Sequence, residues 1–511
     1  MEDRGISVEE IQRQLRLFER PPAYLQLERA CAPGDGIRQL TQAERATCMA
    51  AYDAACEAGR FLKFVPASGA ASRMFKSLLA VLNRPDPLTR EELRARASRG
   101  DADARDAARF IEGIRNLALF DVLQSAMEAS RLDLPALLRA GEVRAVLEHL
   151  LMPQGLGWSD LPKGLLPFHR YRKGHRTAFE EHLVGAAGYV ADGDGRCRLH
   201  FTVSPAHRED FDAVLASVRT THEQKYGVRF EVEFSVQSRS TGTLAVDLEN
   251  RPFRTSSGEL LFRPGGHGAL LENVNDLHGD LIYIKNIDNV IIEHLSADTI
   301  LWKKLLGGFL CMMQQRIFTH LRRLRAADAG SRALEEALRF ARDELCMPLP
   351  DAVVVAGPRT IRESLVRLLD RPVRVCGMVP NTGEPGGGPF WVRDKDGRLS
   401  LQIVERAQSD PHSSEQQRIF ESATHFSPVD LVCGVRDSEG QCFDLKRYVD
   451  PDAVFISEKS SEGRPLKALE RPGLWNGGMA DWITLFAEVP ISTFNPVKTI
   501  VDLLRPEHQP E

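Results

Sequence analysis

The sequence predicts an α/β protein built on a mostly parallel sheet, and three observations carry that prediction. Short β-type runs alternate with helical stretches between residues 61 and 330, the order that a parallel sheet covered on both faces requires. Several of the runs end in polar or glycine-rich loops, and in such sheets ligands sit at the carboxyl ends of strands. The chain of 511 residues, 43% hydrophobic and 27% charged, is long enough for a large core and two or three domains.

Residues 1–60 read as a helical segment packed on the outside of the sheet. Ser7 and Glu10 match a capping box ahead of Ile11, Leu15 and Leu17, and Thr41 to Gly59 forms a second helical run. The main α/β domain is expected over residues 61–470. It opens with the apolar run Phe61, Leu62, Phe64, Val65, which stops at Pro66. The small residues Ser68, Gly69, Ala70, Ala71 and Ser72 follow, then Arg73 and Lys76 at the start of an apolar helical stretch. A strand, a small-residue loop and a helix start aim backbone N–H groups at one point and suit a phosphate. An ordinary strand-to-helix turn gives the same pattern.

Residues 77–157 are rich in Leu, Ala, Arg and Glu and read as a helical insertion, with Ala107 to Leu119 and Leu134 to Leu151 at helical period. Its arginines (Arg94, Arg96, Arg99, Arg105, Arg109) read as a solvated face. Strands are expected at Leu199 to Val203, Phe230 to Val236 and Asp280 to Ile287, with a helix over Glu209 to Tyr226. Residues 296–370 read as helical and residues 371–470 as a β-rich extension, with a flexible loop over Thr382 to Gly388 near a pocket. The C-terminal segment, 471–511, opens with a helix-like apolar stretch after Trp475.

Composition excludes several classes. A net charge of −5 gives no polyanion-coating surface, so nucleic acid is not the expected partner. No apolar run reaches the roughly 18–20 residues of a membrane helix. The charged, helical N-terminus does not read as a signal peptide. The nine scattered cysteines form no C-x-x-C pair and read as reduced thiols. A cytoplasmic protein is expected.

Two local patterns carry chemistry. Asp288 follows an apolar strand and is flanked by Asn286 and Asn289, which reads either as a site for a hard cation or as a plain turn. Pro264-Gly265-Gly266-His267-Gly268 surrounds a histidine with glycines, which allows close backbone approach to a flat or charged ligand, or makes a glycine-rich hairpin.

Ser68-Gly69-Ala70-Ala71-Ser72-Arg73-Met74 resembles the first half of the sugar nucleotidyltransferase signature, and Leu161-Pro162-Lys163-Gly164-Leu165-Leu166-Pro167 resembles the second half. Asn286-Ile287-Asp288-Asn289 and the Pro264–Gly268 stretch resemble segments of UDP-sugar pyrophosphorylases. Gln237 resembles that family's base-contacting glutamine. Glu405, followed by Gln408, resembles its strand-borne sugar-binding pair, and Lys498 in Phe494-Asn495-Pro496-Val497-Lys498-Thr499 its phosphate-contacting lysine. Asn476 and Asp481 fall where the family places a sugar-binding turn or a second metal carboxylate. The chain also resembles a bacterial family catalogued as a domain of unknown function. It departs from the pyrophosphorylase pattern in two ways: the insertion splits the signature, and Ala71 stands at its usual second glycine.

The resemblance implies a GT-A-like, Rossmann-like, three-layer α/β/α nucleotidyltransferase. It implies transfer from an NTP, with UTP favoured by the UDP-type segments, to a sugar 1-phosphate with release of pyrophosphate and with Mg²⁺ as cofactor. Arg73, Lys163 and Lys498 would be catalytic. Ser68, Gly69, Ala70, Ala71, Ser72, Gln237, Gly266, His267 and Gly268 would bind nucleotide, Glu405 and Asn476 the sugar, and Asp288 and Asp481 the metal. The alternatives are an NDP-sugar-dependent glycosyltransferase and a non-catalytic nucleotide-binding protein of the same fold.

Overall fold

The computed structural model describes residues 5–85, 88–326, 330–383 and 386–511. The chain folds into two compact units. The first comprises Met1–Phe64, Ser235–Ile284 and Trp302–Ile491; the second comprises Val65–Phe234, Lys285–Leu301 and Ser492–Glu511.

In the first unit the sheet runs Ala32–Pro33, Gly36–Arg38, Ile483–Glu488, Val373–Pro380, Asp430–Gly434, Leu281–Lys285, Phe61–Pro66. Ile483–Glu488 pairs in parallel with both Gly36–Arg38 and Val373–Pro380, and Leu281–Lys285 pairs in parallel with Phe61–Pro66. Asp430–Gly434 pairs antiparallel with Val373–Pro380. The fold is thus α/β with a mostly parallel sheet, as the alternating pattern predicts. Side chains alternate across the strands. Phe64, Ile282, Ile284, Cys376, Met378, Leu431, Cys433 and Phe486 therefore gather in a buried cluster, while Phe61 stacks on Tyr283 at 5.2 Å between ring centres. The long helix Ala297–Arg325 meets the helix Gln42–Glu57 through glycine: a Cβ on Gly308 would lie 1.8 Å from the Cys48 carbonyl oxygen.

Two expectations are corrected here. Residues 1–60 hold the helices Val8–Glu19 and Gln42–Glu57, but also the strands Gln26–Ala30, Ala32–Pro33 and Gly36–Arg38. Gly36–Arg38 joins the main sheet, and Gln26–Ala30 pairs with Gly388–Arg393 in a separate three-stranded sheet. These strands are short and follow the helical Val8–Glu19, so a window long enough to show helical period averages them away. The stretch after Trp475 is not helical: a 3₁₀ turn, Gly477–Met479, leads into the strand Ile483–Glu488. That strand is buried along nearly its whole length, and a continuous apolar run carries no period that separates strand from helix. In the Thr382–Gly388 loop, Glu384 and Pro385 lie outside the described residues.

In the second unit the strand Arg196–Thr202 neighbours Arg229–Ser235. Phe179, Phe201, Phe211 and Phe234 fill the space under the helices Ala178–Ala187 and Arg208–Tyr226, with Phe179 and Phe201 at 4.6 Å. The insertion is helical as expected: Arg90–Ser98, Ala102–Gly113, Phe120–Ala129, Leu134–Ala140 and Arg144–Leu151. Thr89, Asp101 and Asp133 cap three of these helices through side-chain oxygens, and Gly141 at φ +78° ends Leu134–Ala140. On its arginine face, Arg94 meets Glu112 and Arg96 meets Glu92. Among the described residues no helix is long and apolar enough to cross a membrane. All nine cysteines are free thiols.

Candidate active site

The second unit brings the two halves of the split signature together. The Ala71 N–H donates to the Leu161 carbonyl at 2.8 Å, and the Lys163 N–H to the Gly69 carbonyl at 3.1 Å. This two-bond bridge fixes Gly69-Ala70-Ala71 against Leu161-Pro162-Lys163 although the insertion lies between them. The loop begins where the Ala67 N–H bonds the Thr202 carbonyl and ends in the 3₁₀ turn Ala71–Arg73. Gly69 and Ala70 are exposed, and their amides donate to no acceptor among the described residues. A Cβ built on Gly69 meets no atom within 4 Å. The protein's own packing therefore does not require glycine there, and bare backbone faces open space. Ala71 is fully buried, with its amide spent on the bridge. The open part of the loop is thus Gly69-Ala70, one residue earlier than the sequence pattern points to.

Lys163 leaves this bridge on the 3₁₀ turn Lys163–Leu165. Gly164 is needed for packing, since a Cβ would come within 2.9 Å of the Phe211 ring. The Lys163 ammonium donates to Asp288 Oδ2 and to the Val497 carbonyl, both at 2.8 Å. Lys498 approaches the same carboxylate from the C-terminal segment, at 3.3 Å to Oδ1 and 3.2 Å to Oδ2. The backbone holds the two carriers together. The Val497 N–H donates to the Asp288 carbonyl at 2.9 Å, Asn289 bridges Pro496, and the Asn289 side-chain oxygen accepts from the Asn495 N–H. Lys163, Asp288 and Lys498, expected from three distant stretches of sequence, thus form one cluster.

The electrostatics follow from burial. Asp288 and Lys163 expose only 10% and 12% of their side chains, whereas Lys498 exposes 47%. Burial pushes the Asp288 carboxyl upward, but the neighbouring Lys498 and Lys163 ammonium groups outweigh it and hold its pKa below the usual carboxylate range. Burial lowers the Lys163 pKa. The Asp288 charge opposes that shift, and the nearby charges of Lys498 and Arg73 add to it. Arg73 is exposed at the mouth of the loop. Two ammonium groups on one carboxylate, with the Arg73 charge felt at Lys163, leave an excess of positive charge, an arrangement that attracts phosphate.

The first unit holds a second cluster. The His267 ring stacks on Trp475 with centroids 4.2 Å apart, and its Nδ1 accepts the Leu474 N–H at 3.1 Å, which leaves the ring proton on Nε2. Nε2 lies 3.9 Å from Glu405 Oε1. Burial lowers the His267 pKa to about 4, so the ring is neutral at pH 7. Burial also raises the Glu405 pKa, against hydrogen bonding from Asn476. Asn476, 1% exposed, donates to Gln408 Oε1 at 3.0 Å, the same oxygen that takes the Glu405 N–H. Gln408 is therefore the brace that locks Glu405 to Asn476. Gln237 lies in the same unit and donates to Thr241 Oγ1.

The glycines of Pro264–Gly268 serve the protein's own packing. A Cβ on Gly265 would lie 2.4 Å from the Thr241 carbonyl oxygen, one on Gly268 2.0 Å from that of Pro472, and Gly266 has φ +71°. Close approach is real, but to the chain itself. Asp481 is exposed over 65% of its side chain, 3.9 Å from Arg371; it belongs to the first unit and Asp288 to the second.

Sequence reasoning missed two supports. Trp475 stands in the sequence only as the start of an apolar stretch, yet it is the platform under His267. Arg374, fully buried, donates to the Trp475 carbonyl at 2.6 Å and to Thr484 Oγ1 at 2.8 Å. An arginine inside the apolar run Val373 to Val379 was its signal, because a charge there needs partners.

The fold and these two clusters define an α/β protein with a basic cluster in one unit and an aromatic and carboxamide cluster in the other. A family model matches residues 1–509, and the chain belongs to that family, described as Domain of unknown function (DUF4301). No curated protein matches the chain. Among solved structures it is similar to the uridine diphosphate N-acetylglucosamine pyrophosphorylase of Trypanosoma brucei, with 12% identity over 97% of this chain and 74% of that one, at a TM-score of 0.45. It is also similar to mutants of the UDP-glucose pyrophosphorylase of Leishmania major. One gives 12% identity over 96% and 73% of the two chains at a TM-score of 0.42, and another 16% over 67% and 61% at 0.37.

Proposed function

We propose that the protein is a nucleotidyltransferase that joins an NTP to a sugar 1-phosphate and releases pyrophosphate. The observation that carries this reading is the Lys163–Asp288–Lys498 cluster, set beside a loop whose two signature halves are hydrogen-bonded across the insertion. In the proposed reaction a phosphate oxygen of the sugar 1-phosphate forms a bond to the α-phosphorus of the NTP. The bond from that phosphorus to the oxygen bridging it to the β-phosphorus breaks, and pyrophosphate leaves. Such chemistry asks the protein for position and charge neutralisation. Gly69, Ala70 and Arg73 would receive the β,γ-phosphates, Lys163 would neutralise the α-phosphate, and Lys498 would grip the sugar phosphate. Asp288 holds both ammonium groups in place until phosphates take over as partners. UTP and a UDP-sugar product are the preferred pair on the resemblance, which also assigns Glu405 and Asn476 to the sugar and Gln237 and His267 to the nucleotide.

Asp288 is also the proposed Mg²⁺ ligand. One carboxylate suffices where phosphate oxygens and waters complete the shell, so the donor chemistry fits. The ion would supply charge neutralisation on the phosphates and would compete with Lys498 for the carboxylate.

The test is pyrophosphate release with Mg²⁺ across four NTPs and a panel of sugar 1-phosphates. Release from one pair, lowered at least about a hundredfold in turnover by Lys163→Met, is the expected result. A Lys163→Met protein with unchanged turnover removes the role, and no release from any pair removes the activity.

A further inference from the structure

The helical insertion carries a half-open cavity of about 290 Å³ whose chemistry the proposed reaction does not use. Arg90, Arg115 and Arg139 reach its wall, and Ile111, Ile114 and Leu138 line it with apolar surface. The acid on the wall, Glu112, is drawn away by Arg94, 2.6 Å from its carboxylate. Arg90 donates one N–H to the Leu138 carbonyl at 2.5 Å, while its Nε is buried without a partner. Arg115 and Arg139 are exposed and make no side-chain ion pair among the described residues. Three guanidinium groups without carboxylates, over an apolar lining, match an anion with a compact apolar body. Guanidinium recognises phosphate through paired N–H donors, and the lining gives the body a place to bury.

We propose that this cavity binds a small organic phosphate and passes its occupancy to the C-terminal segment. The connection is direct. Gly113 sits between the lining residues Ile111 and Ile114, and a Cβ there would come within 2.6 Å of the Leu504 side chain. Leu504 closes the 3₁₀ turn Ile500–Leu504, which follows Lys498. The Lys498 and Thr499 amides donate to Asp502 at 2.9 and 2.7 Å, and the Ile500 N–H donates to the Met74 carbonyl at 3.1 Å, next to Arg73. A ligand that tightens the 111–114 stretch therefore tightens the turn to which the Lys498 backbone is hydrogen-bonded. The regulatory part rests on the proposed role of Lys498; the binding part does not.

The test is calorimetric titration of the full chain with phenyl phosphate, beside inorganic phosphate, which lacks the apolar body. Two variants accompany the unmodified chain: Arg115→Ala/Arg139→Ala, whose replaced side chains are exposed and not part of the fold's interior, and Lys498→Met, which weakens the other phosphate-attracting cluster. The expected result is phenyl phosphate binding tighter than inorganic phosphate, weakened about tenfold or more in the arginine double variant and retained in Lys498→Met. Hydrogen exchange of residues 500–504 should slow with phenyl phosphate in the unmodified chain and not in the arginine variant. Equal affinity in the unmodified chain and the arginine variant, or loss of all binding in Lys498→Met, overturns the site. Unchanged exchange at 500–504 overturns the coupling. Neither readout depends on turnover.

Discussion

Replacing Asp288 by asparagine keeps the side-chain shape and removes the charge that two ammonium groups share. At 2.8 Å, with an effective dielectric of about 20, its attraction to Lys163 is worth roughly 6 kcal/mol before desolvation. Burying both charges offsets most of that. The contact with the half-exposed Lys498 is screened to roughly 0.2–1 kcal/mol. The cost lies in what remains: in Asp288→Asn the buried Lys163 ammonium keeps the Val497 carbonyl but loses its counter-charge, a loss of about 3–5 kcal/mol. Lys163→Met removes the stranded charge, so the double variant should recover much of this, with a coupling of at least about 2 kcal/mol. The pH dependence has a definite sign. The Lys163 pKa is already below the ordinary lysine value and falls further without Asp288. The folded state then binds fewer protons than the unfolded one, so the deficit is full below the folded pKa and vanishes as pH rises toward about 10.4. In a chain of two compact units, urea-dependent hydrogen exchange of residues 285–301 is the suitable assay, because it reads that region's own opening free energy. Additive single and double variants, within about 0.5 kcal/mol, would refute the reasoning.

Two further outcomes are expected. Gly69→Ala should leave thermal stability within about 0.5 kcal/mol, because its Cβ enters open space, yet weaken pyrophosphate binding measured by calorimetry; Gly268→Ala should cost about 1–3 kcal/mol, because its Cβ would sit 2.0 Å from the Pro472 carbonyl oxygen. Equal stabilities of the two variants would contradict the packing argument. Burial also lowers the His267 pKa to about 4, so the folded state resists protonation. Stability should be full above about pH 6.5 and fall as pH drops toward 4, by at most about 3 kcal/mol, and His267→Gln should flatten this stretch of a denaturation-against-pH curve.

Much of the fold was legible because its elements obey simple periods. The strands Phe61–Pro66, Leu281–Lys285 and Leu399–Val404 are short apolar or alternating runs bounded by Pro, Asn or Glu, and the insertion's helices show both period and caps. What escaped was long-range pairing. Gly36–Arg38 has three residues and becomes a strand through Ile483–Glu488, more than four hundred positions away. The site was legible as a list of chemical groups: Lys163, Asp288 and Lys498 were each expected, and they meet. Which groups act as supports was not. Gln408 was expected at the sugar, yet its oxygen is spent on Glu405 and Asn476, and the glycines around His267 make room for the Thr241 and Pro472 carbonyls. Glycine in a sequence shows that something comes close; it does not tell ligand from chain.

The insertion explains how the signature can be split without being lost. The bridge between Gly69-Ala71 and Leu161-Lys163 treats everything between as a loop closed at its base. The entropy of closing a loop rises by only about 0.6 kcal/mol for each doubling of length, so a long insertion costs little if it folds on itself. It does: Phe110, Leu123, Leu147 and Leu150 are fully buried among its helices. Its packing on Leu504 at Gly113 and the Ile500 N–H bond to Met74 then tie the inserted helices, the Gly69–Arg73 loop and the Lys498 segment together. In a continuous signature the loop and its lysine are neighbours in the chain. Here the neighbourhood is built from two backbone hydrogen bonds and one missing Cβ. Gly113→Val should therefore displace Leu504 and weaken phosphate binding at Lys498 although it touches no charged group, measured by calorimetry with pyrophosphate beside Gly69→Ala. Unchanged affinity in Gly113→Val would mean that the insertion is carried by the fold without supporting the site.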